Sequence, residues 1–304
     1  MAAFIVVLGV SPARAFFVRP SVTQTLGSRN YAGTHTSVDF GGDLHLTPSL
    51  NSYHSDDATG TYKTWGVQAA YEFEKYGVAL SGGFSPRVNG YANRYVGGEA
   101  SMSFDFEEGV VDRAAEFKRE EQEKQPSRRT FGVSRLDLTV GLTQTQHSDE
   151  FTATTNARGQ QVVTHSTTTL ALGQTDLLMT AALEIRKTRL SISLTKSVYN
   201  KDLAYIGARS AQIAVLSGLD PIVQGFPDLN FNTRLDLEMW PVYTPWVSYT
   251  YSKFKVTQAS AAAYAVGLNA LWRAFLLTGS YQRYSLAGGA DRNYLSASAA
   301  YRFK

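Results

Sequence analysis

The feature that most constrains this chain is a side-chain alternation of period two, which restarts along its length in stretches of roughly 10 residues bounded by turn residues. KTWGVQAAYEFE places Trp65, Val67, Ala69, Tyr71 and Phe73 on one face, with Gly66, Gln68, Ala70, Glu72 and Glu74 on the other. After a tight connection around Lys75, the residues Val78, Leu80, Gly82 and Phe84 resume the apolar side. LNFNTRLDLEMW sets Phe231, Thr233, Leu235, Leu237 and Met239 against Asn232, Arg234, Asp236 and Glu238, and TDLLMTAALEIR and LDLTVGL repeat the pattern. Such strands have two chemically different sides, so the chain is all-β and must give each side its own environment.

Composition agrees. Tyr (17), Phe (16) and Gly (25) are plentiful, hydrophobic residues make up 43%, and no apolar run after the first residues approaches the ~18 that a membrane helix needs. The absence of Cys excludes disulfides and thiolate metal sites. Twenty-nine basic and 26 acidic residues leave a net charge of +3 with no long one-sign tail, which argues against a nucleic-acid partner.

The connections separate a barrel from a sandwich. Short ones are expected at residues 47–49, 74–76, 186–189, 241–245 and 272–273, and longer polar ones at 55–61, 146–164, 200–228 and 286–292. Alternating short and long connections belong to an up-and-down barrel, and Greek-key crossings give no reason for them. Aromatic residues near strand ends (Trp65, Phe73, Trp240, Trp246, Trp272, Tyr281, Tyr301) suit girdles at two membrane interfaces.

The chain finishes on NYLSASAAYRFK, in which Leu295, Ala297, Ala299, Tyr301 and Phe303 alternate with Tyr294, Ser296, Ser298, Ala300 and Arg302. With these residues the sequence resembles bacterial outer-membrane β-barrel proteins of the porin-like kind, without matching one family. The resemblance implies that a final amphipathic strand ending in Tyr301 and Phe303 is read by the barrel-assembly machinery, although Lys304 departs from the usual terminal aromatic. It also implies a bacterial outer-membrane location among lipids and lipopolysaccharide. Residues 1–15 fit a signal peptide lacking its charged start: a short apolar block, then Ala13-Arg14-Ala15 before Phe16.

The expected architecture is a transmembrane up-and-down antiparallel barrel over residues 16–304, with about 14 strands, or 12 or 16 as alternatives. Two segments break the rhythm. Residues 107–130 are dense in both charge signs and read as a solvated periplasmic insertion, with a short helix ending before Pro126. In the long outer loop at 201–228, residues 208–227 are unusually apolar and could either pack on the rim or enter the mouth.

No catalytic constellation stands out. Lipid hydrolysis on a barrel would need a His and a Ser two apart on one strand face; His35 and Ser37 have that spacing without a supporting motif. Asp56-Asp57 beside His54 fits a surface turn better than a protease site. No cofactor or metal site is expected. What remains is the inner face, where alternation places Asp39, Asp43, His45, Glu72, Glu99, Asp105, Asp137, Glu184, Asp236 and Glu238 together with Arg87, Arg135, Arg234 and Arg302. Ionised side chains are inexpensive only in a water-filled lumen. The expected function is therefore passive diffusion of small hydrophilic solutes. A structural or surface-interaction barrel with a blocked lumen is the alternative, and a lipid-active barrel enzyme the second.

Overall fold

The computed structural model describes residues 16–42, 44–56, 60–73, 75–88, 90–106, 133–156, 163–185, 187–201, 226–240, 242–255, 259–287 and 289–303, with the backbone alone at 149, 151–156 and 163–170. Fourteen strands follow one another: β1 (Phe17–Gly27), β2 (Tyr31–Gly41), β3 (Leu44–His54), β4 (Tyr62–Glu72), β5 (Tyr76–Val88), β6 (Tyr91–Asp105), β7 (Val133–Asn156), β8 (Val163–Ile185), β9 (Thr188–Tyr199), β10 (Pro227–Leu237), β11 (Tyr243–Phe254), β12 (Ser260–Trp272), β13 (Phe275–Leu286) and β14 (Arg292–Tyr301). Each pairs antiparallel with its sequence neighbours, and β14 returns to β1 to close the barrel. Closure satisfies every ladder, which a sheet exposing an apolar side to lipid requires.

The seam runs from Ser21 opposite Ala300 to Gly27 opposite Tyr294, and the Phe303 N–H donates to the Val18 carbonyl at 2.9 Å. The start of β1 at Phe17 and Phe303 beyond β14 lie at the end with the tightest turns, such as Arg273-Ala274 between β12 and β13. That end is called the terminus end below, and the opposite one the loop end.

Large exposed apolar side chains lie on the outward positions: Val67 on β4, Leu80 on β5, Val140 on β7, Met179 on β8, Val266 on β12 and Leu295 on β14. Small, polar, charged and aromatic residues take most of the alternate, inward positions, with Leu271 and Leu276 as exposed apolar exceptions. No described helix is long and apolar enough to cross a membrane.

Three local expectations need correction. The turn expected at 47–49 lies instead between Gly41 and Leu44, and Pro48 is inside β3 opposite Val67. Proline reads as a turn residue, yet here its missing N–H falls where the β2–β3 ladder lapses between Ser37 and Phe40. The connection expected at 146–164 is mostly strand, because β7 and β8 pair as far as Asn156 opposite Val163. Since pairing with β6 reaches only Asp149 of β7 and pairing with β9 only Gln174 of β8, the end of that hairpin stands beyond the wall as a two-stranded ribbon. The expected short connection at 241–245 ends earlier, since Pro245 is already in β11. The leader at 1–15, the insertion at 107–130 and most of the apolar stretch at 208–227 lie outside the described residues.

Candidate functional site: the two layers of the lumen

On the inner face near the terminus end, ionised side chains gather into three groups. In the first, Arg19 Nη2 donates to Asp39 Oδ2 at 2.8 Å, Thr47 Oγ1 donates to Asp39 Oδ1 at 3.3 Å, and His45 Nδ1 lies 3.2 Å from the same oxygen. The Phe17 ring packs edge-on against His45 and lies beneath the Arg302 guanidinium at 4.4 Å. In the second, Asp137 accepts from Ser103 Oγ and Arg135 Nε, both at 2.7 Å, and from Arg189 Nη2 at 3.2 Å. In the third, Arg234 grips both oxygens of Asp236 through Nε at 3.0 Å and stacks on Trp246 at 4.2 Å.

The members of each pair are unequally exposed. Arg19, Arg135 and Arg189 leave 45–46% of their side-chain surface accessible, whereas Asp39 and Asp137 keep only 10% and 22%. The carboxylates lie against the wall and hold guanidiniums that reach into the lumen, a geometry suited to arginine's planar fork.

The candidate lumenal residues fall as follows. Asp39, His45, Glu72, Glu99, Asp105, Arg135, Asp137, Glu184, Arg234, Asp236 and Arg302 occupy inward register positions, with Glu99 opposite Gly141, and Glu184 opposite both Arg135 and Arg189. Glu238 lies just past β10, where its N–H donates to the Lys187 carbonyl at 2.7 Å. Asp43 is outside the described residues. Arg87 sits differently. A bulge between Ser85 and Val88 puts Val88, rather than Arg87, opposite the inward Tyr91. Arg87 then pairs with Glu150 and donates to Ser148 Oγ at 3.3 Å, on the outward side. Arg19 and Arg189 were missed in the sequence, because β1 is poorly patterned and Arg189 sits beside a turn.

His35 and Ser37 share the inner face but not a hydrogen bond: His35 Nδ1 meets Asn51 Oδ1 at 2.5 Å, and Ser37 Oγ meets Ser21 Oγ at 2.7 Å. Asp56 accepts from Asn30 Nδ2 at 3.0 Å in the adjoining turns. Neither arrangement is a nucleophile with its base.

Toward the loop end the inner face becomes aromatic. Tyr31, Tyr53 and Tyr62 stack across β2, β3 and β4 at centroid distances of 6.1 and 5.3 Å, and Tyr294 meets Tyr31 edge-on at 5.4 Å. Tyr91 Oη lies 2.7 Å from His147 Nδ1, whose ring packs against Phe226, and Tyr199 abuts Phe226 as well. Phe254 and Tyr284 join Tyr294 in a buried cluster seated on Ala261 and Ala263.

These rings need small residues beneath them. Tyr294, Phe17, Tyr95 and Trp246 each lie against their direct cross-strand partner, respectively Gly27, Gly41, Gly83 and Gly267, where a Cβ would collide with the ring. Trp246 is therefore inside and buried, not in the interfacial girdle expected for it. Trp272, Phe275, Tyr301 and Phe303 do form an outward aromatic row at the terminus end.

No family model and no characterised protein matches the sequence. Among solved structures, CdiB from Acinetobacter baumannii aligns at a TM-score of 0.48 and 9% identity over 95% of this chain, which spans 60% of CdiB's length. The CymD monoaromatic hydrocarbon channel aligns at 0.47 and 9%, covering 95% of this chain and 88% of that one. OmpT of Vibrio cholerae aligns at 0.46 and 10%, covering 97% and 99%. These are likenesses between barrels, and they leave the reading of this chain to the geometry of its own wall.

Proposed function

We propose that this chain is an outer-membrane channel through which small hydrophilic solutes diffuse passively, with no catalysis and no cofactor. One observation carries the reading: apolar side chains face outward while guanidiniums nearly half exposed reach into the lumen. Exposed apolar residues over most of the outer wall suit hydrocarbon surroundings, and ionised groups inside suit water. A side-chain-filled interior would have to bury those charges at a cost of several kcal/mol each. The outer membrane, its lipopolysaccharide and the barrel-assembly machinery are the surroundings and partners that such a barrel implies.

The test is single-channel recording of the purified protein in planar bilayers. Discrete current steps are expected, with a small reversal potential in a salt gradient because both charge signs face the lumen. A folded, heat-modifiable protein that gives no steps would favour the blocked structural barrel. A specific observation keeps that second reading in view, namely the burial of lumenal rings at the loop end.

A further inference from the structure

The outward face of β9–β12 changes character between the loop end and the middle of the wall. Nearest the loop end, Lys196 of β9, Leu229 of β10 and Lys253 of β11 stand side by side in one cross-strand row. A bulge between Pro227 and Leu229 inserts Asp228 there, and its carboxylate holds Lys196 Nζ at 2.9 Å and Lys255 Nζ at 3.7 Å. Lys196 and Lys255 keep 48% and 50% of their side-chain surface accessible, whereas Asp228 keeps 17%. The carboxylate is set against the wall and the ammoniums are presented outward. Even without Lys255, two cations here meet one anion, while elsewhere on this rim Arg283 is matched by Asp291 and Arg87 by Glu150.

Further down the same face the rows turn apolar. Leu194, Phe231 and Tyr251 come next, and beyond them Thr233, Leu235, Val247, Tyr249, Tyr264 and Val266 line a groove of about 300 Å³. Tyr249 and Tyr264 are direct cross-strand partners with ring centroids 5.1 Å apart, and Tyr264 is 59% exposed to whatever surrounds the barrel. Along β11 the step from Lys253 to Tyr249 is about 13 Å, so a cationic row and an apolar groove lie one above the other within the length of a lipid. We propose that this face binds one phosphorylated membrane lipid, with its phosphate among Lys196, Lys253 and Lys255 and one acyl chain in the groove beside Tyr249 and Tyr264. The row favours a phosphomonoester, which carries close to two negative charges, over a zwitterionic head whose own ammonium already offsets its phosphate. A free phosphate ion gains nothing from the groove, whereas an acyl chain buries apolar surface there. The site rests on the membrane location proposed above and does not depend on an open lumen.

The experiment is native mass spectrometry of the folded barrel, stripped of lipid in a neutral detergent and titrated with dimyristoyl phosphatidate, with dimyristoyl phosphatidylcholine and inorganic phosphate as comparisons. Insertion into phosphatidylcholine vesicles is measured in parallel. One phosphatidate per barrel is expected at concentrations where phosphatidylcholine leaves it bare, and excess inorganic phosphate does not displace it. Replacing Lys196, Lys253 and Lys255 together by Gln lowers the affinity about tenfold or more, and Tyr264→Ala lowers it several-fold by removing one wall of the groove. Lys63→Gln, on the outward face of β4, leaves it unchanged. If the triple variant does not fold, Lys253→Gln is read in its place; it leaves Asp228 paired with Lys196 and lowers the affinity about fivefold. A barrel that inserts into the vesicles but binds both lipids alike overturns the site alone, as do folded lysine variants with wild-type affinity. Displacement by inorganic phosphate, or wild-type affinity in Tyr264→Ala, overturns the lipid as occupant and leaves a bare anion site. A barrel that does not insert overturns the membrane reading with it.

Discussion

At Trp246 the indole lies across Gly267, its cross-strand partner, with the Arg234 guanidinium on the ring and Asp236 holding that guanidinium from the side. A methyl group at position 267 would occupy the space of the indole, so Gly267→Ala should cost about 1–3 kcal/mol. It should also shift the tryptophan emission of the folded protein; a variant with wild-type emission and urea midpoint would show that the ring does not rest there. Asp236→Asn removes the charge that orients Arg234. The pair lies between a surface and a buried ion pair, so the expected loss is about 1–2 kcal/mol by urea unfolding in micelles. The sequence placed Asp236 and Arg234 on one face through their spacing, but it could not show that they grip each other. It misplaced Trp246 because strand propensity favours aromatic residues on either side, and the partner that decides the side is a glycine 21 positions away.

For the strands as elements, faces and order were legible because a period of two survives every substitution that keeps the side of a residue. Reading failed at three prolines, one of them Pro245, which reads as part of a turn but lies in β11. Pro48 imitates a turn inside β3, and Pro86 sits in the bulge that moves Arg87 to the other face. The contacts among the lumenal rings at the loop end were illegible for another reason: they join residues on strands far apart in sequence and depend on how far each ring reaches. Face assignment can be tested with one new side chain at two sites. Val266→Arg, outward and midway along β12, should cost about 2–4 kcal/mol in a bilayer, while Gln282→Arg, inward on β13, should cost less than about 0.5 kcal/mol. Equal costs by reversible unfolding into lipid vesicles would contradict the register, because a slip of one residue exchanges the faces.

Across the whole molecule the seam between β1 and β14 has the same kind of ladder as every other strand pair, and the Phe303 backbone extends it to Val18. Phe303 also ends the outward aromatic row through Tyr301, at 4.5 Å between centroids. Phe303→Ala should therefore lower the amount of heat-modifiable barrel recovered from outer membranes; normal accumulation would sink the reading of Tyr301 and Phe303 as an assembly signal. A ring of strands has no beginning of its own, and with both ends of β1 and β14 side by side the chain could be joined there and cut open elsewhere. A circular permutant opened between β5 and β6 would keep all fourteen ladders but finish on Phe84-Ser85-Pro86-Arg87-Val88, without the terminal aromatic pattern. It should refold in detergent as well as the parent and yet accumulate poorly in cells, because stability belongs to the ring while recognition belongs to where the chain stops.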